Sequence, residues 1–156
     1  MKQASIKTPL GIATILGDEN GIHEIKVDDS TEESSEIPEV LKSVILPLQQ
    51  YFSGKRESFD LQLNPKGTDF QKKVWEELKN IPYGATVSYL ELSRKLGDEK
   101  AIRAVASANG MNPLWIVVPC HRVIGSDGSL TGYAGGLHRK KWLLDLENPP
   151  LQQSLF

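Results

Sequence analysis

The stretch Ile116-Val117-Val118-Pro119-Cys120-His121-Arg122-Val123-Ile124 constrains this chain more than any other. It holds the single cysteine of the 156 residues. Three β-branched residues lead into it, the pattern of a buried strand. Pro119 ends the run, because proline has no backbone N–H to continue a ladder. Cys120 is therefore expected where a buried strand gives way to a loop or turn, fixed from behind and reachable from in front. His121 and Arg122 follow at once. A thiol attacks as its thiolate, and a neighbouring base or positive charge promotes that state. The competing reading is a small buried hydrophobe, a common role for a lone cysteine. In an extended segment Cys120 and His121 would point to opposite faces; a tight turn or an intervening water would let them cooperate.

One cysteine excludes an internal disulfide and a Cys-rich zinc site, and the three histidines are scattered. The expected compartment is reducing and cytoplasmic. No window approaches about 18 apolar residues, so no membrane span is expected. The N-terminus runs straight into strand-like sequence, with no apolar signal core. The length suits one sizeable domain or two small ones. A net charge of −2 does not advertise a polyanionic partner, but the charge is uneven. Residues 1–64 carry 6 basic side chains against 11 acidic, whereas residues 65–156 carry 12 against 9. A phosphate backbone would repel the first half and mildly attract the second.

Residues 3–27 alternate in polarity, with a turn at Gly17-Asp18-Glu19-Asn20-Gly21, and read as two or three short strands. Residues 28–36 read as a solvated acidic loop. Pro38 opens an amphipathic helix carrying Val40, Leu41, Val44, Ile45, Leu48, Tyr51 and Phe52, stopped at Gly54. Phe59, Leu61 and Leu63 predict one more strand. This half reads as a small α+β unit (1–64) without chemistry of its own, joined at Asn64-Pro65-Lys66-Gly67 to a mostly helical second domain (65–156). Capping boxes are expected at Thr68/Gln71 and Ser88/Glu91. The first helix carries an apolar stripe of Phe70, Val74, Trp75 and Leu78; the second carries Leu90, Leu92 and Leu96. A third helix runs from about residue 98 or 99 to Asn109, and the last two suggest a helix-turn-helix.

That third helix is almost devoid of large side chains. Two readings stand: close packing against other helices, or close approach to DNA with Arg103 as the one long charged reach. Leu130 to Gly136 sets three glycines around Tyr133, the mark of a mobile or tightly approached loop. A final helix, Leu137 to Leu146, turns Trp142, Leu143 and Leu146 inward. His138, Arg139, Lys140 and Lys141 at its start oppose the helix dipole. They read either as a solvated basic turn or as a seat for an anionic partner. The tail from Asn148-Pro149-Pro150 is expected to be extended.

Several separated motifs, in one order, carry a resemblance. They are Pro82-Tyr83-Gly84, Val87-Ser88-Tyr89, Ala101-Ile102-Arg103-Ala104-Val105, Asn112-Pro113, Pro119-Cys120-His121-Arg122-Val123, Gly132-Tyr133-Ala134-Gly135-Gly136, and Trp142-Leu143-Leu144 with Glu147. Over about residues 65–147 the chain resembles the O6-alkylguanine-DNA alkyltransferases, which take alkyl groups from guanine onto their own cysteine. The N-terminal half is similar to that family's variable domain in outline only. The resemblance implies an α+β protein whose partner is double-stranded DNA containing O6-alkylguanine. Cys120 would be the acceptor, His121 its base through a water, and Glu147 the group that orients His121. Tyr89 would donate a proton toward guanine N3, and Asn112 would hold the turn that leads to the active-site strand. Arg103 would replace the flipped base, with Ala104, Ser107 and Arg122 also facing DNA. Trp115, Tyr133, Ala134 and Gly135 would line the base pocket. Trp115 is read equally as a core indole.

The physical logic agrees. Alkyl transfer is an in-line displacement at carbon that needs a strong nucleophile and a stabilised leaving group, and no metal or cofactor is expected. The target base must leave the stack, at roughly a few kcal/mol. The thioether left on Cys120 is a poor leaving group, so one turnover per molecule is expected. Zinc-binding relatives use N-terminal cysteines that this chain lacks, and its length leaves no room for a separate phosphotriester-sensing domain. A monomer is expected. A non-catalytic lesion-binding relative would lack the nucleophile. A Cys-His-Glu hydrolase would leave the helix-turn-helix and Arg103 without a role.

Overall fold

Polarity alternating with a period of two makes the first layer. The computed structural model describes residues 1–30 and 32–149. Strands β1 (Lys2–Thr8), β2 (Gly11–Asp18) and β3 (Gly21–Asp28) form an antiparallel meander in that order. Its register stacks Ala4 on Ile15 and Ile15 on Ile25, and Ile6 on Ala13 and Ala13 on Val27. All six are buried, so one face of the sheet is core. After Pro38, a 3-10 turn (Glu39–Leu41) leads into α1 (Lys42–Phe52). Leu41, Val44, Leu48, Tyr51 and Phe52 bring their apolar stripe into the same core.

Two expected strands do not form. Residues 59–63 make one bridge, Leu63 to Ile22, and Ile116–Val118 is a run of turns preceded by one bridge, Leu114 to Ile25. The free edge of β3 explains both. Ile22 pairs with the first segment (Ile22 N to Gln62 O, 2.9 Å; Asn64 N to Ile22 O, 2.8 Å). Ile25 pairs with the second (Ile25 N to Pro113 O, 2.8 Å; Trp115 N to Ile25 O, 3.1 Å). Two segments share one short edge, so neither extends along it.

Both capping boxes are present and start α2 (Asp69–Leu78) and α3 (Tyr89–Lys95). Val74, Trp75 and Leu78 are buried as expected, whereas Phe70 is 40% exposed: burial along α2 begins one turn later. Gly97, at φ +93°, turns the chain toward a 3-10 segment (Glu99–Ala101) and α4 (Ile102–Gly110). The small residues of α4 serve two faces. Val105, Ala108 and Asn109 are buried, and the Trp75 indole N–H reaches the Ala108 carbonyl at 2.8 Å. Arg103, Ala104 and Ser107 are exposed on the other side.

A two-residue parallel pair, β4 (Val87–Ser88) with β5 (Val123–Ile124), ties the start of α3 to the chain just after Cys120. The final helix α5 (Leu137–Glu147) closes the fold. One continuous core runs from the sheet through α1, α2, α3 and α4 to Leu143 of α5. The architecture is the expected mixed α+β, a small sheet unit followed by a helical half. The expectation for the tail falls, from Pro150 onward, outside the described residues.

Candidate active site

The turns before Cys120 are built around one side chain. Asn112 is buried; its amide nitrogen donates to the carbonyls of Val118 (2.8 Å) and Leu114 (3.3 Å), and its oxygen accepts from Leu114 N–H (2.9 Å). Within this loop Ile116 takes φ +75°, a left-handed conformation that is costly for a β-branched residue. The chain then enters a 3-10 turn, Cys120–Arg122. Cys120 thus follows a pinned and strained turn rather than a strand.

The thiol is buried, at 4% exposure for the residue, rather than open from the front. Burial pushes its pKa up to about 11, while the Asn112 amide and the Lys140 charge pull it down. At neutral pH the resting group is a thiol, and attack requires something to take its proton.

The neighbouring His121 has the chemistry of a base. It is fully buried, and burial depresses its pKa although Glu147 opposes this, so the imidazole rests neutral. Nε2 lies 2.7 Å from Glu147 Oε2. A carboxylate there can only accept, which puts the proton on Nε2 and leaves Nδ1 as a lone pair. Nδ1 is buried without a protein partner. An acceptor one residue from the thiol, oriented by an anion on its far side, is the arrangement of a base and its orienter.

Glu147 is held by more than His121. Arg122 grips both oxygens, Nε to Oε1 at 2.7 Å and Nη2 to Oε2 at 2.9 Å. Gly84 N–H adds a contact to Oε1 at 3.3 Å, and the Tyr51 hydroxyl donates to Oε2 at 2.5 Å. Burial opposes the charge on Glu147, but the bonds from His121, Arg122 and Tyr51 outweigh it and hold the carboxyl well below the usual range. Tyr51 shows that the N-terminal half does reach the site, contrary to its reading as a unit without chemistry. In sequence it was one more member of an apolar stripe. The available signal was that a buried tyrosine hydroxyl must find a partner.

Arg122 corrects a second expectation. It is 6% exposed, Nη1 is spent on the Ile81 carbonyl at 2.7 Å, and the other two nitrogens are on Glu147. No donor nitrogen is left without a protein partner to face a phosphate. The basic start of α5 is corrected likewise, because Arg139 and Lys140 are buried. Arg139 holds Asp29 (2.7 Å) and the carbonyls of Leu10 (3.0 Å) and Gly135 (3.1 Å). Lys140 is fully buried, with Nζ on the carbonyls of Val123 (2.7 Å), Thr131 (2.6 Å) and Gly132 (3.4 Å). Burial lowers its pKa to about 8, countered by Cys120, so it carries its charge at neutral pH. These two side chains are spent on partners within the protein, Arg139 on Asp29 and two carbonyls and Lys140 on carbonyls that include the glycine loop, rather than on an anionic partner.

That loop closes around an aromatic pair. The rings of Trp115 and Tyr133 lie 5.4 Å apart, and the Tyr133 hydroxyl is buried without a partner. A Cβ on Gly135 would come within 2.8 Å of the Trp115 ring and 2.9 Å of Tyr133, so only glycine passes there without displacement. Trp115, Ala134, Gly135 and Asn112 line a cavity of about 520 Å³, with Lys26, Val27 and Asp28 of β3 among its other walls. Tyr89 stands at the loop's other flank, where its oxygen accepts from the Thr131 hydroxyl at 3.2 Å, leaving its own proton free to be given. Among the described residues no cluster of three His, Cys, Asp or Glu side chains could hold a metal.

A single buried cysteine, backed by a histidine–carboxylate relay and set behind an exposed small-residue helix, defines a one-nucleophile protein on a helix-turn-helix scaffold. Residues 69–149 match the family described as 6-O-methylguanine DNA methyltransferase, DNA binding domain. Residues 1–65 match its ribonuclease-like domain. The methylated-DNA–protein-cysteine methyltransferase of Methanosarcina acetivorans is 46% identical, over 94% of this chain and 98% of that one. That of Mycolicibacterium paratuberculosis is 43% identical, over 97% and 96%. The crystal structure of Mycobacterium tuberculosis OGT in complex with DNA superimposes with a TM-score of 0.83 at 43% identity, covering 92% of this chain and 90% of that one. The chain belongs to the methylated-DNA–protein-cysteine methyltransferase family.

Proposed function

We propose that this protein repairs DNA by moving a methyl group from O6 of guanine onto Sγ of Cys120, once per molecule. The observation that carries the reading is His121, the residue after Cys120, with Nε2 committed to Glu147 and Nδ1 buried without a protein partner, while the Cys120 thiol rests protonated. In the reaction the Sγ–carbon bond forms as the carbon–O6 bond breaks. The thiol proton passes to His121 through a water. The departing guanine takes up one proton, offered by Tyr89 at N3 and exchanged with solvent, so charge does not accumulate on the base. Arg103, Ala104 and Ser107, exposed together on α4, form the face toward duplex DNA, and Arg103 fills the stack when the damaged base turns out. Asn112 keeps the turn before Cys120, and Trp115, Tyr133, Ala134 and Gly135 wall the base pocket.

The same reading has residues 1–64 and 65–156 as its two domains. It has the protein acting as a cytoplasmic monomer, without metal or cofactor. The uneven charge of the two halves supports the division into two domains; among the described residues no helix is long and apolar enough to cross a membrane.

The test is intact-protein mass spectrometry after incubation with a duplex containing one O6-methylguanine. The expected product carries one added methyl group, mapped to Cys120. Cys120→Ser should bind the duplex and gain nothing, because a serine hydroxyl stays protonated where a thiol can ionise. No mass gain, or a methyl on another residue, overturns the reading.

A further inference from the structure

Among the described residues, the N-terminal half makes one polar contact with the relay, and it falls on the oxygen that His121 uses. Tyr51 Oη, His121 Nε2 and Arg122 Nη2 lie 2.5, 2.7 and 2.9 Å from Glu147 Oε2. Three donors thus share one carboxylate oxygen. Tyr51 is fully buried, and Tyr83, Phe52 and Phe59 surround its ring at centroid distances of 5.7 to 6.2 Å. The ring is therefore fixed and the hydroxyl has little freedom to turn elsewhere. Burial and the Glu147 charge push its phenol far up, so it remains a donor throughout the working pH range.

We propose that Tyr51 is a positioning residue of the His121–Glu147 relay, supplied by the N-terminal half to set how basic His121 is. The inference rests on the relay reading given above for Cys120. Each donor on Oε2 withdraws electron density from it, so Glu147 supports a positive charge on His121 less strongly than it would with Arg122 alone. The hydroxyl also fixes Oε2 from a direction that neither His121 nor Arg122 occupies. Tyr51 therefore keeps the imidazole neutral and ready to accept at Nδ1. It also couples α1 to the chemistry, giving the sheet-bearing half a part in the reaction.

The sign follows from the geometry. Removing the hydroxyl leaves Oε2 more basic and strengthens its bond to His121. The His121 titration should then move to higher pH by about 0.5–1 unit. The experiment is nitrogen-15 NMR of the histidine rings in the full chain, without DNA, for wild type and Tyr51→Phe. The phenylalanine variant keeps the ring and its packing. A second variant carrying 3-fluorotyrosine at position 51 keeps the hydroxyl and makes it a stronger donor, so its His121 titration should move to lower pH. A purely structural tyrosine would move neither.

Opposite shifts in the two variants support the proposal. Unchanged His121 titration and Nε2–H shift in the fluorotyrosine protein overturn it, even if Tyr51→Phe is too unstable to measure. Because no substrate is involved, a wild-type protein that fails to accept a methyl group would sink the repair reading while leaving this measurement decisive for Tyr51. Where transfer is observed, the acid limb of its pH–rate profile should shift with the NMR titration.

Discussion

Arg122 and Glu147, 25 residues apart in sequence, meet in the interior as a two-point clamp, with Nε and Nη2 each on a separate carboxylate oxygen at 2.7 and 2.9 Å. A bidentate pair of this kind orients as well as neutralises. Its partial removal strands a buried charge, and that penalty exceeds what the pair itself contributes. Arg122→Met should therefore destabilise the protein by about 3–5 kcal/mol, read from urea unfolding. A stability within about 0.5 kcal/mol of wild type, together with weakened duplex binding, would return Arg122 to the DNA-facing role the sequence suggested.

Acid should act on the same cluster. His121 and Glu147 both have folded-state pKa values below their ordinary ones. A group depressed on folding contributes stability that is complete above its unfolded pKa and is lost as pH falls below it. The unfolded values are about 6.5 for histidine and 4.3 for glutamate. Stability should thus begin to fall below about pH 6.5 and fall more steeply below about 4.3. His121→Gln should flatten the first part of that decline. A wild-type urea midpoint that does not change between pH 7.5 and 5 would contradict it.

The sequence made the helices legible because their signals are local. Thr68/Gln71 and Ser88/Glu91 marked two starts through hydrogen bonds that span three residues. The adjacency of Cys120 and His121 was legible, but the pairing of Glu147 with His121 was implied only by the family resemblance, since the last helix was read to Leu146. Three further features were not legible. Ile116–Val118 has strand chemistry, but the edge of β3 that it would join is shared with residues 62–64. Arg139 and Lys140 have surface chemistry, but Arg139 reaches the Leu10 carbonyl and Asp29, and Lys140 reaches the carbonyls of Val123 and Thr131. Tyr51 is 96 residues from its acceptor. All three depend on long-range partners that no periodicity records.

Lys140 should matter more than its place in a basic run implies. Its ammonium ties the Val123 carbonyl of β5 to the Thr131 carbonyl inside the glycine loop. Lys140→Met keeps the stem and deletes the donors. It should cost about 2–4 kcal/mol and speed amide exchange across residues 123–136, because buried carbonyls lose their partner. Exchange that is unchanged there would mean that the loop is held by Arg139 and the aromatic pair instead.

Arg103 is predicted to serve base flipping and not the chemistry. It is exposed on α4 beside Ala104 and Ser107, so the backbone can approach a duplex closely and the guanidinium can reach in. Arg103→Ala should slow transfer from a methylated duplex by at least about tenfold, since unstacking costs a few kcal/mol that the inserted side chain offsets. Reaction with free O6-methylguanine base should change little. Equal losses on both substrates would show that Arg103 supports the fold of α4.

Trp115 is predicted to limit which alkyl groups fit. The indole is 6% exposed and packs on Tyr133 at 5.4 Å, and it also lines the 520 Å³ cavity, whose walls include neither Tyr133 nor Cys120. Gly135 is pressed against its ring, so the indole cannot move toward the loop to admit a bulky substituent. The protein should therefore take methyl groups readily and react slowly with O6-benzylguanine. Trp115→Ala frees the volume of an indole and should raise the benzyl rate selectively. Proline is the poorer choice, because Trp115 N–H donates to the Ile25 carbonyl at 3.1 Å and proline would remove that bond. The alanine variant should lose about 3–5 kcal/mol of stability, so both rates belong at a temperature well below its unfolding midpoint. A wild type already fast on benzylguanine, or equal changes in methyl and benzyl transfer, would assign Trp115 to the core alone.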